Sequence, residues 1–123
     1  MQTATAAQAY GQTAVNGLSP REAEAAALMK SANQLQAAKE QWAEDMGDVA
    51  NALYFNRQLW ILLTSAVADK DNALPLEVRN DVGNLGTFVF KQTLDIEIEP
   101  EATKLDDLIS INRELAAGLQ GHA

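Results

Sequence analysis

Residues 48–68, DVANALYFNRQLWILLTSAVA, decide the fold class of this chain. On a helix that turns about 100° per residue, the apolar side chains of this stretch cover roughly half of the circumference. That arc contains Val49, Ala52, Leu53, Phe55, Leu59, Trp60, Leu62, Leu63, Ala66 and Val67. An apolar arc of this width predicts the central helix of a bundle, capped at its start by Asp48.

Two helical segments are predicted before this central stretch. Residues 4–15 are rich in alanine and weakly amphipathic, and Gly17 follows them as a stop signal. Ser19 and Pro20 then form a start signal, because serine caps a helix and proline suits the first helical position. The helix that they open is predicted to run to about residue 45, with a narrow apolar seam.

The helix predicted after Pro75 carries two apolar stripes and runs to about residue 96. One stripe consists of Val78, Val82, Leu85, Val89 and Ile96, and the second, nearly opposite, consists of Leu76, Gly83, Phe90 and Leu94. A helix with two stripes needs two neighbours, or one neighbour and a binding partner. Residues 95–98 alternate like a short strand, but we interpret them as the end of this helix.

Pro100 opens the last predicted helix, which Gly118 and Gly121 are expected to end. The glycines at positions 83 and 86 fall inside a helical pattern, where they indicate close packing between helices. Together these patterns predict an all-α fold: a compact bundle of four long helices plus a looser N-terminal helix, in one domain that covers residues 1–123.

Composition disfavours several classes of function. The chain has 123 residues, a net charge of −8 and no cysteine. Its 17 acidic residues outnumber nine scattered basic ones, so we expect no direct binding of nucleic acid, whose phosphates are neutralised by lysine and arginine. The longest uncharged apolar stretch, residues 59–68, has about half the length of a membrane span. No secretory signal pattern opens the chain, and a cytoplasmic protein without membrane contact is expected.

Side chains that usually carry catalysis are sparse. The single histidine, His122, lies beyond the last predicted helix, where a chain end cannot hold a catalytic geometry. Asp69, Asp71 and Asn72 lack the spacing of a calcium-binding loop. We therefore expect no enzymatic activity, no cofactor and no metal. The sequence favours a protein that works by binding another protein.

Four side chains stand on the unexpected face of their predicted helix. Asn56 and Asn112 lie inside apolar arcs. They either fix the register of the bundle, as a buried asparagine does in coiled coils, or bond to the backbone of a bound partner. Tyr54 and Ile61 lie on the polar side of the central helix. They either pack under the N-terminal helix or form an exposed binding surface.

Arginines and the second apolar stripe complete the candidate surface. Arg57 and Arg79 flank apolar faces, where they either anchor an interface or remain solvated charges. Uncovered apolar surface is expected around Phe90 and Leu94 and on the last helix. The candidate partner-binding residues are Tyr54, Arg57, Ile61, Arg79, Phe90, Leu94, Ile111, Asn112 and Leu115.

Short motifs along nearly the whole chain resemble those of one family in the same order. The central motifs are Asn56-Arg57-x-Leu59-Trp60, Asp71-Asn72-x-Leu74-Pro75, Arg79-Asn80 and Asn84-Leu85-Gly86-x-Phe88-Val89. The terminal motif is Leu105-Asp106-x-Leu108-Ile109-Ser110-Ile111-Asn112-Arg113-Glu114, and the opening motifs are Ala9-Tyr10 and Ser19-Pro20-Arg21-Glu22. This ordered set resembles the bacterial FlaF family.

The resemblance implies a cytoplasmic regulator of flagellar biosynthesis. Members of that family promote the production and export of flagellin, whose terminal amphipathic helices need partners until assembly. They act opposite FlbT, which restrains flagellin translation. The resemblance thus implies flagellin as a partner, FlbT as a candidate second partner, and a chaperone-like role. The alternative is a translational regulator of flagellin mRNA that acts through a protein such as FlbT. A small enzyme is the third hypothesis, and the lack of cysteine and of a histidine inside the predicted helices argues against it.

Overall fold

The structure, a computed structural model, describes residues 20–43 and 46–121. Within these ranges it contains helices and no strand, which confirms the all-α class. The helices are α1 (Pro20–Glu40), α2 (Met46–Ala68), α3 (Leu76–Ile98) and α4 (Leu105–Gly121), with a 3-10 turn (Ala102–Lys104) before α4. The four long helices form the predicted bundle. The predicted N-terminal helix, residues 4–15, and the cap Ser19 lie outside the described residues.

Four helix boundaries differ from the sequence prediction. Pro100 does not open the last helix, because α4 begins at Leu105 after the 3-10 turn. α1 ends at Glu40 instead of near residue 45, and a turn follows in which the Trp42 backbone N–H donates to the Lys39 carbonyl at 3.3 Å. α2 begins at Met46, so Asp48 lies within the first turn and is not the cap. There its negative charge is stabilised by the positive end of the helix dipole. α3 runs to Ile98 and includes the residues that alternate.

Gly118 does not end α4, which continues to Gly121. Glycine lowers the stability of a helix interior by only about 1 kcal/mol relative to alanine. Leu119, the next residue, is 2% exposed and packs in the core. The burial of this leucine outweighs the weak helix propensity of the glycine, so the helix passes through it.

Side-chain contacts show that neighbouring helices are antiparallel. α1 packs against α2 and α4, and α2 packs against α3, whereas α3 and α4 touch far less. Lys39, near the end of α1, forms an ion pair of 2.5 Å with Asp106 at the start of α4. Arg79, in the first turn of α3, donates to the Val67 carbonyl near the end of α2 at 2.9 Å.

The core lies between the four helices, and α2 contributes its largest side chains. Fully buried members include Trp60, Phe55, Leu28, Leu35, Leu59, Ile96, Leu105 and Leu108. The predicted arc of α2 is buried except at Leu62, which is 36% exposed, and at Ala66, which is half-buried.

Gly86 lets α3 approach α2 closely. A Cβ atom added at this position would overlap the Thr64 side chain and come within 3.7 Å of the Trp60 ring. Gly83 has no such neighbour, because a Cβ there meets nothing within 4 Å. Close helix packing therefore explains Gly86, as predicted, and does not explain Gly83.

Candidate functional site

Asn56 and Asn112 bond to each other in the middle of the bundle. The Asn112 Nδ2 donates to Asn56 Oδ1 at 2.7 Å, and the Ser31 hydroxyl donates to the same oxygen at 2.8 Å. The indole nitrogen of Trp60 donates to Asn112 Oδ1 at 2.9 Å. All four residues are fully buried. The network links α1, α2 and α4, which is the arrangement that the register interpretation predicts.

The indole of Trp60 sets the direction of this network. An indole N–H can only donate, so Asn112 must turn its oxygen toward Trp60 and its amino group toward Asn56. Asn56 then presents its oxygen, which accepts two hydrogen bonds. Asn112 is used inside the core and is inaccessible, so it has to be removed from the candidate partner surface.

The outer side of α2 forms a groove with α3. Arg57 and Ile61 line it from α2, and Phe90, Leu94 and Glu97 line it from α3. Its volume is about 560 Å³, and it opens to the surface. The groove brings together four of the nine candidate residues, and these come from two helices that sequence alone does not place side by side.

Apolar side chains in the groove are substantially accessible. Ile61 is 42% exposed and Leu94 is 57% exposed, while Phe90 is half-buried and packs against the core. Leucine and isoleucine on two neighbouring helices therefore present an apolar strip to the surface. An accessible apolar strip between helices is the kind of surface that accepts an amphipathic helix.

A single ion pair crosses the groove. The Arg57 guanidinium donates to the Glu97 carboxylate, and both side chains are partly exposed. Exposed ion pairs contribute at most about 1 kcal/mol, because water screens them. The two charges can therefore separate and pair with a ligand at little cost. They give the groove a polar end beside its apolar strip.

Tyr54 lies seven residues before Ile61 on the same face of α2, and it is 48% exposed. It adjoins the groove without lining it. The alternative interpretation, packing under the N-terminal helix, concerns residues outside the described ranges and stays open.

The structure does not bring the other three candidates to the groove. The side chain of Arg79 is half-buried and closes the end of α2 through its bond to the Val67 carbonyl. Ile111 and Leu115 lie on α4, half-buried against the core. These residues pack within the bundle and are not part of the groove surface.

Sequence reasoning missed Glu97 as a groove residue. A glutamate on the polar side of a helix is normally read as a solvated charge. Its spacing could have revealed it, because Glu97 follows Leu94 by three residues and Phe90 by seven, so all three share one face of α3.

The loop between α2 and α3 uses its polar side chains for its own backbone. Asp69 accepts from the Asp71 N–H at 3.0 Å, and Asn72 accepts from the Leu74 N–H at 2.9 Å. Across residues 20–43 and 46–121, no three side chains of His, Asp or Glu are placed to hold a metal ion. In the same part of the chain, no helix has the length and apolar content to cross a membrane.

The fold and the groove define an all-helical bundle protein with an accessible apolar site between two helices. The family model described as flagellar protein FlaF matches residues 6–119, and the chain belongs to the FlaF family. No curated protein and no solved structure matches the chain significantly.

Proposed function

We propose that this protein regulates flagellar biosynthesis by binding flagellin in the cytoplasm through the groove between α2 and α3. It acts without catalysis, as a chaperone-like factor that promotes flagellin synthesis and secretion. The observation that carries this proposal is the accessible strip formed by Ile61 and Leu94 in a member of the FlaF family. Family membership supplies the flagellar role, and the groove supplies the physical means.

An amphipathic helix fits the chemistry of this groove. A helix presents apolar side chains at positions i, i+3, i+4 and i+7, and these would cover the strip between α2 and α3. The ion pair of Arg57 and Glu97 offers one charge of each sign at the edge of the strip. A chaperone that covers the apolar face of an unassembled helix lowers the tendency of that helix to aggregate.

Isothermal titration calorimetry with monomeric flagellin is the direct test. Because burial of apolar area drives the binding, we expect a negative change in heat capacity and only a weak dependence on salt. Absence of binding would overturn the proposal. Binding that disappears on modest addition of salt would show that charge, and not the apolar strip, holds the partner.

A second candidate function is regulation of flagellin translation through a protein partner such as FlbT. The net charge of −8 favours indirect action on the mRNA, since this chain has few cations for phosphate contacts. A gel shift with the isolated protein at about 150 mM salt should show no specific binding of flagellin mRNA. Addition of FlbT to the same assay distinguishes this function from the first one.

A further inference from the structure

A second apolar pocket lies between the beginning of α1 and the end of α2. Its volume is about 350 Å³, and Glu24 of α1 lines it together with Leu62, Leu63, Ser65 and Ala66 of α2. It shares no lining residue with the groove between α2 and α3. Occupation of this pocket would therefore leave the groove free.

Two polar side chains lie at the start of α1: Glu24, which lines the pocket, and Arg21, whose charge acts on Glu24. Glu24 is only 7% exposed, and no hydrogen bond or ion pair of its carboxylate occurs among the described residues. Burial raises the pKa of this carboxyl, and the nearby Arg21 charge opposes that rise. The Arg21 Nε is buried too, and it has no hydrogen-bond acceptor in the described part of the chain. Buried polar groups in folded proteins are nearly always paired, so the Arg21 Nε points to an acceptor from outside the described residues.

The apolar wall of the pocket is incomplete on its outer side. Leu62 belongs to the apolar arc of α2 and yet is 36% exposed, and Ala66, one turn later, is half-buried. The arc thus continues beyond the surface that the described helices cover. Glu24 lines the pocket, and the nearby Arg21 charge is of the opposite sign, so the two charges offset each other beside the pocket.

We propose that residues 1–19 of the same chain occupy this pocket. They join α1 at Pro20, one helical turn before Glu24, and so they start at the edge of the pocket. They contain no charged side chain, which matches a pocket with apolar walls and balanced charges. Their carbonyl groups and their Gln and Asn side chains are acceptors for the Arg21 Nε. A tethered segment also has a high effective concentration at the pocket, which no separate partner shares.

The absence of cysteine from the chain allows a direct test with a single spin label. Ser65→Cys places a nitroxide at the exposed edge of the pocket, and Thr103→Cys places one beside the start of α4. The ion pair of Lys39 and Asp106 shows that the start of α4 lies at the end of α1 that is far from the pocket. In the full chain we expect the label at position 65 to broaden the NMR signals of residues 1–19, and the label at position 103 to leave them sharp. Equal broadening from both labels, or none from position 65, would overturn the proposal.

The pocket could instead be occupied by residues 1–19 of another copy of the chain. To test this, a spin-labelled chain without ¹⁵N is mixed with a ¹⁵N-labelled chain that carries no nitroxide. Broadening in the mixture would mean that the contact is intermolecular, which contradicts the proposal. Leu62→Gln should remove the broadening in the singly labelled chain. Phe88→Gln, which also replaces an exposed apolar side chain by glutamine but lies outside the pocket, should retain it. Persistence of the contact in Leu62→Gln would show that the pocket is not what holds the segment. Flagellin takes no part in these measurements, so their outcome is independent of the proposed function.

Discussion

The two sides of α2 use polar and apolar residues in opposite ways. On the inner side, Asn56 is fully buried and bonded to Asn112 and Ser31. On the outer side, Ile61 is 42% exposed beside the charged pair of Arg57. Polar residues thus hold the bundle together where water is absent, and apolar residues remain accessible where a partner can reach them.

This difference separates residues that stand next to each other in the sequence. The motif Asn56-Arg57-x-Leu59-Trp60 contributes Asn56, Leu59 and Trp60 to the core and Arg57 to the groove. A family motif on a helix therefore mixes two kinds of constraint within five residues. Exposure and hydrogen bonding in the structure distinguish them, whereas the residue types alone do not.

The largest expected effect is on the inner side, at Trp60. Trp60→Ala removes a fully buried ring and the N–H donor that orients Asn112, and we expect it to lower the free energy of unfolding by about 3–5 kcal/mol. Urea denaturation followed by circular dichroism measures this change. An unchanged denaturation midpoint would place Trp60 outside the core and contradict the difference between the two sides of α2.

The sequence predicts the inner side of α2 better than its outer side, because the two sides depend on different kinds of information. The buried arc of α2 follows from periodicity, because a broad apolar arc must be covered somewhere. The groove depends on which helix lies beside α2, and periodicity does not contain that information. The second stripe of α3 indicated a missing neighbour, and Phe90 and Leu94 do line the groove.

Residues with two physical explanations mark the limit of sequence reasoning. An asparagine in an apolar arc suits either a buried hydrogen-bond network or contact with a bound partner, so the sequence makes Asn112 a candidate for the partner surface. Only its hydrogen bonds to Asn56 and Trp60 identify it as part of the buried network. Gly118 carried a stop signal that the burial of Leu119 overrides. In both cases tertiary contacts decide, and these are not encoded locally.

The second expected effect is at the contact between α2 and α3, which supports the groove. Gly86→Ala forces a Cβ atom into the Thr64 side chain, so we expect a loss of about 1–3 kcal/mol in the free energy of unfolding. Gly83→Ala, three residues earlier on the same helix, meets open space and should stabilise the protein by about 0.5–1 kcal/mol. Thermal denaturation of the two variants should shift in opposite directions. Equal shifts would mean that α3 does not approach α2 closely at Gly86.

The third effect concerns the outer side alone. Leu94→Ser removes a 57% exposed apolar side chain from the groove, so it should leave the thermal melt nearly unchanged and weaken flagellin binding about tenfold, which is ~1.4 kcal/mol. Phe88→Ser is the matched control, because Phe88 is exposed on the same helix and does not line the groove. Calorimetric titration of both variants measures the difference. Full affinity in Leu94→Ser, or equal losses in the two variants, would remove the groove as the binding site.

The smallest effect concerns Glu24, whose side chain is buried at 7% exposure on the inner side of α1. Burial favours the neutral carboxyl, so the pKa of Glu24 in the folded chain lies above its ordinary value of 4.5. The folded state then binds the proton more tightly than the unfolded state does, and stability falls as the pH rises from 4.5 through the folded pKa. Glu24→Gln abolishes this penalty. It should raise the urea midpoint at pH 7, and its advantage should disappear below pH 4.5.

A general effect of net charge has to be separated from this specific one. Removal of any carboxylate reduces the self-repulsion of a chain with a net charge of −8. Glu114→Gln makes the same change in charge at an exposed site on α4, so the difference between the two variants isolates the burial of Glu24. If Glu24→Gln stabilises no more than Glu114→Gln at pH 7, the Glu24 carboxylate has a partner in the folded protein.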